Sequence, residues 1–177
     1  MPPPPLDLVT ALGRLLRDPA LRERFARDPA AGARALDVRD GDREALAGLD
    51  PAAVERQART LVEKRLHEVA RLLPLTFARL GAEARRRFLA HAPSFWPTGH
   101  ARHMDDAVEF ARLLVSNGVE GVCRAEANRV CFSSQGRRLA LHAVGDLPVG
   151  GRPRRALQLL YRGRGGATRE LAFFIGI

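Results

Sequence analysis

The sequence predicts an α+β fold, an N-terminal helical domain followed by a small antiparallel β module. Three observations carry that expectation. Apolar residues recur at spacings of three and four as far as Gly118, the period of a helix with one buried face. Beyond Gly118 they alternate between Gly-rich turns, as strands do. Helices come first and strands last, without the alternation that builds a parallel wound sheet. The expected divisions are a helical segment over 1–50, a helical domain over 51–118 and a basic antiparallel β module over 119–177.

Leu8, Leu12, Leu15 and Leu16 give the first helix its apolar face. Asp18-Pro19 closes it and opens the next, because Asp caps and Pro suits the first helical position. Leu21 and Phe25 supply the core side of that second helix, and Asp28-Pro29 repeats the punctuation. Asp50-Pro51 starts the strongest helix, with Val54, Ala58, Leu61, Val62, Val69, Leu72 and Leu73 at helical spacing. Pro74 ends it, since proline lacks the amide donor and clashes with the preceding turn. Leu75, Phe77 and Leu80 mark a short segment that Gly81 closes. Residues 82–91 read as a helix anchored by Phe88 and Leu89, and a loop over 93–99 holds the single tryptophan, Trp96. Met104, Ala107, Val108, Ala111, Leu114 and Val115 define the last expected helix, stopped by Asn117-Gly118. Val130 and Phe132, a Ser134-Gln135-Gly136 turn, then Leu139 and Leu141 read as a hairpin. A turn-rich stretch from Val144 to Pro153 contains Gly150 and Gly151. A second pair runs from Ala156 to Arg162 and from Glu170 to Ile175, joined across Gly163 to Gly166. No helix is expected in this last third.

Charge is distributed unevenly. The formal net charge is +9, and 28 of the 29 basic residues are Arg. Residues 1–60 carry ten Arg against ten acids, whereas 121–177 carry ten Arg against Glu126, Asp146 and Glu170. A basic module on a balanced body argues against a protein that coats nucleic acid along its whole length. No apolar run reaches the roughly 18–20 residues of a membrane span. Met1 followed by Pro2 to Pro5 does not read as a secretory signal. Two cysteines make no disulfide framework. A cytoplasmic protein with reduced thiols, without a membrane partner, is the expectation.

Few residues carry a signature of chemistry. His100, His103 and Asp106 share a spacing of three at the start of a helix. Metal sites use such pairs, but no third strong ligand is specified, so structural or partner-contact roles are preferred. Cys123 and Cys131 either face each other across strands or fill core. The sequence has neither a nucleophile elbow nor a phosphate-binding loop. What remains is a set of basic clusters, Arg137-Arg138, Arg152-Arg154-Arg155 and Arg162-Arg164, beside expected strands. They suit an acidic peptide added as a strand to a sheet edge, where main-chain bonds give affinity and charge gives register. Phosphate contacts are the other use of such clusters. Aromatics for stacking bases are sparse there.

From Gln57 to Leu114 two stretches, QARTLVEKRLHEVARLLPLTFARLGAEARRRFLAHAP and FWPTGHARHMDDAVEFARLL, carry a resemblance. In order and spacing, Leu73-Pro74, Leu80-Gly81, Phe88, Ala92-Pro93, Gly99, and Phe110 with Leu113-Leu114 resemble the helical N-terminal domain of HvfC/BufC-type proteins. The resemblance implies a non-catalytic partner of a multinuclear non-haem iron oxidative enzyme that modifies ribosomally made peptides. It implies a heterodimer with that enzyme, presentation of the precursor's leader peptide, no cofactor in this chain, and iron in the partner. On this reading Arg137, Arg138, Leu139, Arg154, Arg155, Leu157 and Arg162 bind the peptide. Trp96, His100, His103 and Asp106 contact the enzyme. The alternative is a DNA-binding regulator using the basic C-terminal module, with nucleic acid as second choice of partner.

Overall fold

The computed structural model describes residues 4–119, 122–149 and 152–175, with the backbone alone for 146–149 and 153. The expected Gly150-Gly151 turn and Met1 to Pro3 lie outside the described residues. The fold is α+β: nine helices and then a three-stranded antiparallel sheet among the described residues. The chain divides into two compact units, Met1–Lys64 with Ala92–Trp96, and Arg65–His91 with Pro97–Ile177.

The first unit holds α1 (Leu8–Arg17), α2 (Pro19–Arg27), α3 (Pro29–Ala35), α4 (Asp40–Ala47) and the first part of α5 (Pro51–Leu72). Aspartates start the first three helices. Asp7, Asp18 and Asp28 each accept the backbone N–H three residues on, at 2.7, 3.0 and 2.9 Å. Pro19 and Pro29 take first helical positions, as the sequence predicts. Asp50 does the same for α5, accepting from Ala52 and Ala53. Ala11, Leu15, Leu21, Phe25, Ala33, Leu36, Val38, Leu46 and Val54 form its core. The α2–α3 approach depends on Gly32, because a Cβ there would lie 2.9 Å from the Phe25 ring and 3.1 Å from its Cα.

The second unit holds the rest of α5, then α6 (Pro74–Leu80), α7 (Ala82–His91), α8 (Arg102–Ser116) and α9 (Arg124–Ser134). The sheet follows: β1 (Leu139–Val149), β2 (Arg152–Arg162) and β3 (Thr168–Phe174), in the order β1-β2-β3. Phe77, Phe88 and Phe110 cluster, with Phe88 edge-on to Phe110 at 5.3 Å. Gly81 closes α6 at φ 55°, which a residue without Cβ adopts at no steric cost. Glu126 of α9 is buried and caps α6, accepting from the N–H groups of Leu75 and Thr76 at 2.7 and 2.8 Å. The Thr76 hydroxyl in turn accepts from the N–H of Cys123.

Helix α9 corrects the sequence reading. Val130 and Phe132 lie on a helix, and the Ser134-Gln135-Gly136 stretch is its exit rather than a hairpin turn. The cause is that α9 packs against both α8 and the sheet. Ala125, Glu126, Ala127, Val130 and Phe132 are all buried, so burial runs round the helix and leaves no single apolar stripe for periodicity to detect. β2 and β3 are joined across Gly163–Gly166 as the alternation predicts. However, β1 runs on to Val149 and β2 starts at Arg152, through the Val144–Pro153 stretch read as turns, because β1 pairs with β2 across a register shift between Val144 and Leu147. The two cysteines accordingly sit at the start and within α9, not across strands, with Cys123 buried and Cys131 half-buried.

Candidate functional site

The sheet presents one face to α9 and leaves the other open. On β2, Ala156, Gln158 and Leu160 are buried, and alternation sends Leu157, Leu159 and Tyr161 to the opposite face. The register places Leu141 and Leu171 on either side of Leu159, and Ala143 and Phe173 on either side of Leu157. That outer face is apolar and open: Leu139, Leu141, Leu171 and Phe173 are 64, 62, 46 and 54 % exposed.

β1 and β3 are the outer strands, and hydrogen-bond alternation decides which residues of β1 turn their backbone groups outward. The N–H of Arg162 donates to the carbonyl of Arg138 at 3.0 Å. In an antiparallel ladder bonded pairs recur every second residue. Ala140, His142 and Val144 therefore bond β2, and the backbone groups of Leu139, Leu141 and Ala143 face outward. Among the described residues nothing bonds to that edge. On the other side, Gly163 N–H to Ala167 and Ile175 N–H to Arg155 set the β2–β3 pairing. Side chains tie β3 back to the interior. Glu170 accepts from Arg129 at 3.1 Å and from the buried Gln158 at 2.8 Å. Gln158 also donates to the carbonyl of Ala125 and accepts from Asn128.

Beneath the β1 edge lies a cavity of about 150 Å³ between α9 and β1. Asn128, Cys131, Phe132 and Gln135 line it from the helix side, and Arg137, Ala140 and His142 from the strand side. Burial pushes the Cys131 thiol up from its ordinary value, partly offset by the Arg112 guanidinium, so the thiol stays protonated. A protonated, half-buried thiol is a poor nucleophile.

The expected site residues are distributed as follows. Arg137, Arg138 and Leu139 are exposed at the start of β1. Arg154 and Arg155 are exposed near the far end of the sheet, Arg154 opposite Leu147, and Leu157 is half-buried on the outer face. The expected peptide-binding set is therefore split between two ends of the sheet. Arg162 is engaged within the fold. Its guanidinium donates to the carbonyls of Ser133, Arg137 and Gly166 at 3.0, 3.0 and 3.2 Å, and lies 5.7 Å from the Phe132 ring centroid. Trp96 belongs to the first unit, half-buried with Arg17 over its ring at 5.2 Å. His100, His103 and Asp106 belong to the second. Both histidines are exposed, whereas Asp106 is 2 % exposed and holds Arg65 through two bonds of 2.9 and 2.7 Å. Asp106 is thus committed inside the unit rather than offered to a partner.

Sequence reasoning missed the outer face and the cavity. The signal for the first was present, because odd-numbered apolar residues recur in 139–143, 157–161 and 171–173. The cavity had none once α9 was read as a strand. Among the described residues, no three His, Cys, Asp or Glu side chains gather so as to hold a metal ion. No described helix is long and apolar enough to cross a membrane.

Residues 41–116 match the family model of the SCO6045-like, C-terminal domain. The match runs from α4 to the end of α8 and stops before α9 and the sheet. It contains the positions from Gln57 to Leu114 on which the HvfC/BufC-type resemblance rests. No curated protein and no solved structure matches the chain. What this chain is similar to over its middle is therefore an SCO6045-like C-terminal domain.

Proposed function

We propose that the chain is a non-catalytic adaptor that takes up an acidic peptide as an added strand on β1 and presents it to a partner enzyme. The observation that carries this reading is the β1 edge. Leu139, Leu141 and Ala143 turn their backbone groups outward, and Arg137 and Arg138 stand exposed beside them. An open apolar edge is a ready template for pairing, and strand addition satisfies it. The HvfC/BufC-type resemblance supports a particular pair of partners: the leader of a ribosomally made precursor, and an iron oxidative enzyme that carries the metal itself.

Leu141→Pro tests the reading. Its N–H faces outward, so proline removes an edge donor without removing a β1–β2 bond. The variant should fold with unchanged far-UV circular dichroism. It should lose at least tenfold in affinity for a fluorescein-labelled leader of a co-encoded precursor. Charge reversal at Arg137 and Arg138 should weaken the same peptide, and co-purification with the co-encoded iron enzyme should survive both changes. Peptide affinity indifferent to Leu141→Pro overturns strand addition. Tight duplex DNA binding that falls steeply with salt would instead establish the DNA-binding alternative.

A further inference from the structure

We infer that the cavity beneath the β1 edge is a specificity pocket for one carboxylate side chain of the added strand, an inference that rests on the adaptor reading above. Ala140 and His142 line the cavity and lie on the α9 side of β1. A residue directly opposite either of them in an added antiparallel strand shares their face. Its side chain therefore lies on the cavity's side of the sheet, while its neighbours point outward beside Leu139 and Leu141. The two faces of the bound strand thus meet different chemistry, apolar outside and polar inside.

The size of the cavity limits what enters. A volume of about 150 Å³ holds a group of roughly benzene size, which suits Glu or Asp and excludes an indole. The lining selects among groups of that size. Arg137 supplies a guanidinium, His142 an imidazole, and Asn128 and Gln135 side-chain amides, with no acidic residue among the lining residues. Acids on the packed elements have partners: Glu126 accepts from Leu75 and Thr76, Glu170 is held by Arg129 and Gln158, and Glu109 pairs with Arg112. A carboxylate entering this lining meets donors and a cation, and charge-assisted bonds are stronger than neutral ones. A lysine ammonium meets Arg137 and is repelled. The recognised segment is accordingly an extended one with apolar residues at alternate positions and a single acid between them.

Fluorescence anisotropy with the full chain and three eight-residue peptides of alternating Val and Thr tests this. The peptides are identical except for Glu, Gln or Lys at the central inward position. The Glu peptide should bind at least tenfold more tightly than the Gln peptide, and the Lys peptide most weakly. Arg137→Gln should erase the preference for Glu. Arg34→Gln, which removes the same charge from the exposed side of α3 in the first unit, should leave the preference intact. Equal affinity for Glu and Gln peptides, with binding lost in Leu141→Pro, overturns the pocket and leaves strand addition standing. A Glu preference that falls equally in Arg137→Gln and Arg34→Gln reflects overall charge and also overturns the pocket. No binding of any peptide at 1 mM (roughly −4 kcal/mol) overturns both.

Discussion

Arg65 and Asp106 form a two-pronged ion pair with little access to water. Two parallel N–H to carboxylate bonds match the guanidinium's fork. Removing the Asp106 carboxylate takes its charged partner from a guanidinium that has little access to water, which costs about 3 kcal/mol. Asp106→Asn should therefore lower the unfolding free energy of the second unit by that amount, read as a lower urea midpoint at an unchanged m-value. His91 offers a pH test. It stacks near Phe110, 6.3 Å between ring centroids, and burial holds its pKa below the ordinary histidine value, with Glu109 opposing. The unfolded chain then binds the proton more readily than the folded one. Stability from this residue is fully present above about pH 6.5 and is lost as pH falls through that value toward the folded pKa. His91→Gln should flatten that part of the curve of thermal midpoint against pH between 7 and 5. Asp106 was legible in the sequence as a polar residue near two histidines. Its true partner, 41 positions earlier, was not, because ion pairing between distant helices leaves no local spacing to read.

At the scale of elements, Arg162 joins three pieces of chain. Its guanidinium reaches the last carbonyls of α9, the approach to β1 and the β2–β3 turn. A cation at a helix C-terminus meets the negative end of the helix dipole and the carbonyls left without intrahelical partners. Arg162→Ala should destabilise the second unit by about 1–2 kcal/mol. Hydrogen exchange should show the loss concentrated around residues 133–138. Loss of peptide affinity with unchanged exchange there would assign Arg162 to the peptide instead. Local punctuation made most helices legible: each Asp-Pro pair stands at a cap, and Gly81 closes α6. Helix α9 was not legible, because Val130 and Phe132 mimic a period of two while the residues that bury the helix lie all round it.

For the whole molecule, composition located the basic third and the order of helices before strands. It did not locate the division between the compact units, which falls inside α5 after Lys64. Residues from Val54 to Leu72 form one helix without a break, and an unbroken helix carries no mark of which core each turn joins. The candidate site was half legible for a related reason. The arginines are visible in any sequence, but which of them turn inward depends on how α9 and the sheet meet. Glu126 has a consequence for how the molecule is made. It completes the start of α6 from 51 and 50 residues downstream. A ribosome releases the chain from its N-terminus, so α6 emerges with two donors waiting for an acceptor that has not been synthesised. The stretch matched by the family model, 41–116, ends before that acceptor. Cut out as a fragment, it would keep helix α6 in sequence and lack the carboxylate that finishes it.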